Sequence, residues 1–311
     1  MAAIDLRPMT IGEVLDRTFK LYKSEFWLFA GVMSLPFLLL FVANLGVSIF
    51  STGQIAIARS GQMPTGFSPA VLVAAFGGIV LLGIMAFILV GIGQAATIFA
   101  VSDIYLGKPA TIRGCFRQVR GHVLQALGTI LLTALALFGS VLLLAIPIFL
   151  LARVSAWFVV LGILAIFVLI IALVCHLSLA VPAAMLEDVG PATALSRSVE
   201  LSKGFGMQLF LILVLAVGLA IAVVGFISTP FSILMIVKAA KGGQLPIGYL
   251  VLQQAATFIG QVIVAPVQTI ALSLMYYNLR VRKEGFDLDH LMGSLSEPSL
   301  TVLPAPGSAP L

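Results

Sequence analysis

The chain has 311 residues, of which 61% are hydrophobic and only 9% charged, with a mean hydropathy of +1.18. A water-soluble domain is nearer half apolar and a quarter charged, so a surface this poor in charge cannot be wet on all sides. A soluble fold is excluded, two cysteines exclude a disulfide scaffold, and lipid must solvate most of the molecule.

About 25 amphipathic residues precede the first apolar run. They lack the basic start, short apolar core and small-residue cleavage site of a signal peptide, so no cleaved leader is expected. Thr10 and Glu13 have capping-box spacing. From there Ile11, Val14, Leu15, Thr18, Phe19, Tyr22 and Phe26 fall in one stripe about 140° wide at 100° per residue. Glu13, Asp16, Arg17, Lys20 and Lys23 fall opposite. The pattern predicts an amphipathic helix over residues 1–26, lying in the membrane interface.

A membrane domain is predicted over 27–292. A bilayer core needs about 20 apolar residues of helix, and six stretches meet that length: 27–50, 70–100, 123–151, 157–181, 207–237 and 249–279. None holds Asp, Glu, Lys or Arg at its centre. Pro36, Pro147, Pro230 and Pro266 lie inside spans, where neighbouring helices can satisfy the carbonyls that proline frees, and Pro182 marks an exit. The predicted fold class is an all-α polytopic membrane bundle of three hairpins. Two further amphipathic segments, PATIRGCFRQVRGHV and GPATALSRSVELSKGFG, precede the second and third hairpins. Registered on Phe19, Phe116 and Val199, each of the three units has a cation four residues later: Lys23, Arg120 and Lys203. Internal repeats of this kind recur in transporters. An even number of spans per unit makes these copies parallel.

Polar residues inside the spans are few. Gln254, Thr257, Gln261 and Gln268 occupy an arc of about 60° on the sixth span. This seam either lines a cavity or bonds to neighbouring helices, with Gln94 and Thr97 of the second span as facing partners. Cys175 and His176 are adjacent and point about 100° apart, so they do not make a nucleophile and base, and no third group orients them. The histidines, His122, His176 and His290, lack metal-ligand spacing. With no phosphate-binding glycine loop, no Gly-x-Ser-x-Gly and no nucleic-acid motif, no catalytic residue, metal or cofactor is assigned.

The last span ends in MYYNLRVRKEGFDLDHL. Tyr276 and Tyr277 are expected at headgroup level, with Arg280, Arg282 and Lys283 following into water. Gly285 is placed to end the helix. The plain reading is an anchored exit from the membrane; a sharper one adds that Phe286, Leu288 and Leu291 dock back onto the protein, with Asp287 and Asp289 facing basic loops. The tail 293–311 is rich in Pro, Ser and Ala and is expected to be disordered. Thirteen of the 17 cations, and all 12 carboxylates, fall on one side of the predicted topology. Lys and Arg gather on the cytoplasmic side of short loops, which predicts a multi-pass inner-membrane protein with both termini in the cytoplasm. Arg113, Arg117, Arg120, Arg197, Lys203, Arg280, Arg282 and Lys283 are the expected contacts for lipid headgroups or a protein partner.

Three stretches carry a family likeness: LRPMTIGEVLDRTFKLYKSEFW, AVPAAMLEDVGPATALSRSVELSKG and YYNLRVRKEGFDLDHL. With Glu187 and the Arg197-Ser198…Glu200-Leu201…Lys203-Gly204 pattern, the chain resembles the glycerophosphoryl diester phosphodiesterase membrane-domain family and its stand-alone bacterial relatives. Asn278 stands where that resemblance leads one to expect aspartate. In relatives that are enzymes the chemistry belongs to a separate barrel domain, which needs about 200 residues or more. The resemblance therefore implies a membrane module without the catalytic one. The expected function is a non-catalytic membrane protein whose partners are membrane lipids or another protein, not nucleic acid. The alternative is a transporter or flippase for an amphiphilic or small polar solute.

Overall fold

The computed structural model of the chain describes residues 9–59, 69–151, 155, 157–240 and 247–285. Within them the backbone forms nine helices and no strand: α1 (Ile11–Ser24), α2 (Phe26–Arg59), α3 (Pro69–Tyr105), α4 (Ile112–Leu151), α5 (Trp157–Leu177), α6 (Ala180–Leu186), α7 (Pro191–Ser202), α8 (Gly206–Ala240) and α9 (Ile247–Glu284). Six of them, α2, α3, α4, α5, α8 and α9, are long and apolar enough to cross a membrane. The chain is an all-helical bundle of the multi-pass kind. The expected tail at 293–311, and the expected docking of Phe286, Leu288 and Leu291, lie outside the described residues.

The long helices pair as antiparallel hairpins. Gly93 of α3 approaches Pro36 of α2, Gly162 of α5 approaches Ile148 of α4, and Gly260 of α9 approaches Val224 of α8. Four prolines sit inside the membrane-length helices, Pro36, Pro147, Pro230 and Pro266, while Pro182, beyond the end of α5, lies buried in the short helix α6. Of these, Pro36 packs its ring against the glycine surface of α3. Helix α9 is the axis of the bundle, packed against α1, α2, α3, α6, α7 and α8. At 38 residues it is about 57 Å long, well beyond a hydrocarbon core of about 30 Å.

Packing is uneven along that axis. Buried residues of α9 concentrate between Val264 and Val281, beside Phe29, Val32, Ala96, Val101, Cys115 and Leu209. These come from the helix ends that carry most of the charge. Towards the opposite end, α4 and α5 expose Phe138, Leu143, Phe149, Trp157, Leu161 and Phe167. One end of the bundle is therefore close-packed, and the other presents its side chains outwards.

The three amphipathic segments take three forms. Helix α1 has the predicted capping box, with the Thr10 side chain on the Glu13 amide and the Glu13 carboxylate on the Thr10 amide. It is tied to α9 at both ends: the Met9 amide donates to Asn278 Oδ1, and the Tyr22 hydroxyl donates to the Ile263 carbonyl. Residues 9–22 and 263–278 thus cover the same stretch, about 20 and 22 Å at 1.5 Å per residue, so α1 runs antiparallel along α9. Its stripe residues Leu15, Thr18 and Phe19 line an apolar groove with α8 and α9. The second segment is continuous with its span as the first turns of α4. The third, α7, is set off from α8 by Gly204, whose φ of +86° suits glycine. The repeat is one of order, not of shape.

Candidate functional site

The cation-rich helix ends converge, and with them the described parts of residues 6–27, 180–204 and 276–291. At the centre is Glu187, the C-cap of the short buried helix α6. Its carboxylate accepts from Arg197 Nε at 3.0 and 3.1 Å and from the Tyr276 hydroxyl at 2.7 Å, with Arg280 Nε at 3.8 Å. Glu284 closes the far side, paired with Arg197 and, at 3.1 Å, with Arg280. Lys283 Nζ donates to the carbonyls of Glu200 and Lys203 at the end of α7, where carbonyls lack helical partners and favour a cation. Burial works against the charge on Arg197, but hydrogen bonds and the charges of Glu187 and Glu284 outweigh it and raise its pKa. Together with Glu200, three cations face three carboxylates, so the cluster is balanced and joins α6, α7 and α9.

A second tie lies beside it. Asn278 is 1% exposed; its Oδ1 accepts from the Met9 amide at 2.8 Å and its Nδ2 donates to the Met9 carbonyl at 3.1 Å. Arg282 adds a bond to the same carbonyl at 2.7 Å. A carboxamide both donates and accepts, which this exchange requires and an aspartate could not supply. A third tie joins α4 to the turn after α6, where Asp188 lies 3.3 Å from His122 Nε2 and 2.9 Å from Gln125 Nε2. Asp188 holds φ of 52° there, a conformation aspartate tolerates better than most residues.

The residues expected to meet headgroups accordingly divide. Arg197, Arg280, Arg282 and Lys283 are engaged inside the protein. Lys203 contributes its carbonyl to that network, and its side chain is exposed. Arg113, Arg117 and Arg120 are exposed and make no ion pair or hydrogen bond with described residues. The tyrosines expected at headgroup level turn inwards: Tyr276 to Glu187, and Tyr277 to Ser102 with its ring stacked on Tyr105. His176 Nδ1 lies 2.7 Å from Ser202 Oγ, and Ser198 donates to the His176 carbonyl, so this histidine packs α5 on α7. Among the described residues no His, Cys, Asp and Glu group could hold a metal.

The glutamine seam divides too. Gln254, Thr257 and Gln261 line a cleft of about 340 Å³ between α2, α3 and α9, together with Asn44, Phe41 and Phe258. Gln254 Nε2 bonds to Ser48 Oγ of α2 at 3.2 Å. Gln268 faces a separate apolar groove beside α5 and α8. Thr97, expected as a partner, bonds to the Gly93 carbonyl of its own helix.

Most of these ties join residues far apart in the chain, where helical periodicity gives no sign of them, although Glu187, Arg197 and Asn278 all stand within the stretches singled out in the sequence. Comparison with protein-family models, with curated proteins and with solved structures finds no match.

Proposed function

We propose that this is a non-catalytic integral membrane protein, oriented with its cation-rich end in the cytoplasm, which holds anionic lipid headgroups on the first turns of α4. One observation carries the reading. At 100° per residue, Arg113, Arg117 and Arg120 share a face with Leu124, Leu131, Leu135, Phe138 and Leu142, within about 60°. All eight side chains are exposed. A single outward face is thus arginine for two turns and hydrocarbon below, the order of a phospholipid read from phosphate to acyl chain. Cations at a helix start also oppose the helix dipole, which favours anions at that end, so a phosphate would relieve three mismatches together.

Each cation near an anionic leaflet contributes about 1 kcal/mol. The triple variant Arg113→Ala, Arg117→Ala, Arg120→Ala is expected to weaken phosphatidylglycerol retention by purified protein about a hundredfold, while Arg-to-Lys replacements keep most of it. Unchanged retention in the alanine variant would remove the reading. The cleft at Gln254 favours a second one, a transporter or flippase, although no ionisable residue lines it to couple movement to an ion.

A further inference from the structure

The cleft between α2, α3 and α9 is far from the charged cluster: Gln254 precedes Glu284 by 30 residues of one helix, about 45 Å. Its volume of about 340 Å³ falls within the range of small-molecule sites and holds about eleven waters at about 30 Å³ each.

Hydrogen-bond accounting shows what the cleft lacks. The Asn44 amide nitrogen donates to the Leu40 carbonyl, that of Gln254 to Ser48, and the Thr257 hydroxyl to the Gln253 carbonyl. Asn44 Oδ1, Gln254 Oε1 and both ends of the Gln261 amide have no partner among the described residues. Asn44 and Gln261 are exposed and Gln254 is half-buried, so these donors and acceptors are open to an occupant of the cleft, and an occupant that pairs with them must be polar. None of the lining residues is ionisable, and a charged occupant would be buried without a counter-charge. The remaining wall is apolar, part aliphatic and part aromatic, with the Phe41 and Phe258 rings 5.6 Å apart. Amides that donate and accept, set beside flat apolar rings, match a ligand with hydroxyls on its rim and C–H groups on its face.

We propose that this cleft binds an uncharged, hydroxyl-rich ring, a sugar, taken either as free solute or as the headgroup of a glycolipid. The inference concerns occupancy alone and depends neither on the arginine face of α4 nor on transport.

Full-length protein in phosphatidylcholine nanodiscs supplies the test, with monoglucosyl-diacylglycerol as the lipid probe and glucose as the soluble one. Native mass spectrometry reads lipid retention and equilibrium dialysis reads glucose. Retention of the glucosyl lipid alone identifies a headgroup, retention of glucose identifies a solute, and either supports the site. Gln261→Leu is expected to reduce retention at least tenfold without lowering the unfolding midpoint, since it removes an exposed polar group from an apolar span; Gln254→Leu, which also gives up the bond to Ser48, is expected to reduce retention as much. The triple arginine variant should leave retention unchanged. Failure to retain either probe, equal retention by the leucine variants, or equal Gln254-dependent retention of phosphatidylglycerol would overturn the proposal.

Discussion

Asn278 illustrates how much a single side chain decides in this molecule. It exchanges two hydrogen bonds with the backbone of Met9, in the manner of a strand pair, at a site 1% exposed. Asn278→Ala would leave the Met9 amide and carbonyl without those partners, and a buried unpaired group costs about 1–3 kcal/mol. Asn278→Asp is nearly the same shape but loses the donor and buries a carboxylate. The Arg282 guanidinium, 3.4 Å from Oδ1, would offset part of that loss. Both variants are therefore expected to lower the unfolding midpoint in detergent, Ala more than Asp. Both should also speed proteolysis before α1, since Met9 is, among the described residues, the first tied to the bundle. An unchanged cleavage rate with a lowered midpoint would show that the tie stabilises α9 and not the N-terminal segment.

At the scale of elements, close approach between helices is set by small residues. An ideal Cβ on Gly128 of α4 would lie 2.8 Å from Cγ of Pro191, at the start of α7. A proline ring cannot swing aside, so Gly128→Ala is expected to push α7 away from α4 and destabilise by about 1–3 kcal/mol. Gly139 of the same helix has nothing within 4 Å of its Cβ position. Gly139→Ala should therefore be neutral or stabilising by up to about 1 kcal/mol, and the two unfolding midpoints together check the argument. The long helices were legible in the sequence because twenty or more apolar residues without a central charge leave few alternatives. The Thr10–Glu13 capping box and the Gly285 stop, whose φ is +64°, were legible because their chemistry is local. Helix α6 was not: seven residues are too few to show a period, and its burial is imposed by α3, α4, α7 and α9. The sequence pattern places the tyrosine pair at headgroup level because an amphipathic ring suits a headgroup layer and a buried polar partner equally well. The glutamine seam divides because periodicity gives the face of a helix but not the neighbour at each depth.

For the whole molecule, the ties described above gather at one end. Glu187 with Arg197 and Tyr276, Asn278 with Met9, and Asp188 with His122 lock the helix ends around residues 264–281 of α9. The opposite end leaves large apolar side chains outwards, where lipid can hold the spans apart without cost to the core. The charged residues on which the positive-inside expectation rests thus gather at the close-packed end. Cys115 and Cys175 are buried and can be replaced by alanine to make a background for labelling. In it, Lys108→Cys, between α3 and α4, and Gly190→Cys, before α7, should resist a membrane-impermeant maleimide on intact cells. They should react once the membrane is opened. Ser155→Cys, between α4 and α5, should react from outside. The fully inverted pattern would keep the two-ended bundle and reverse its orientation, removing the cytoplasmic headgroup reading. Labelling of Lys108→Cys and Ser155→Cys from the same side would mean that α4 does not cross the bilayer. In that event the face that runs from Arg113 to Leu142 could not place phosphate above acyl chain.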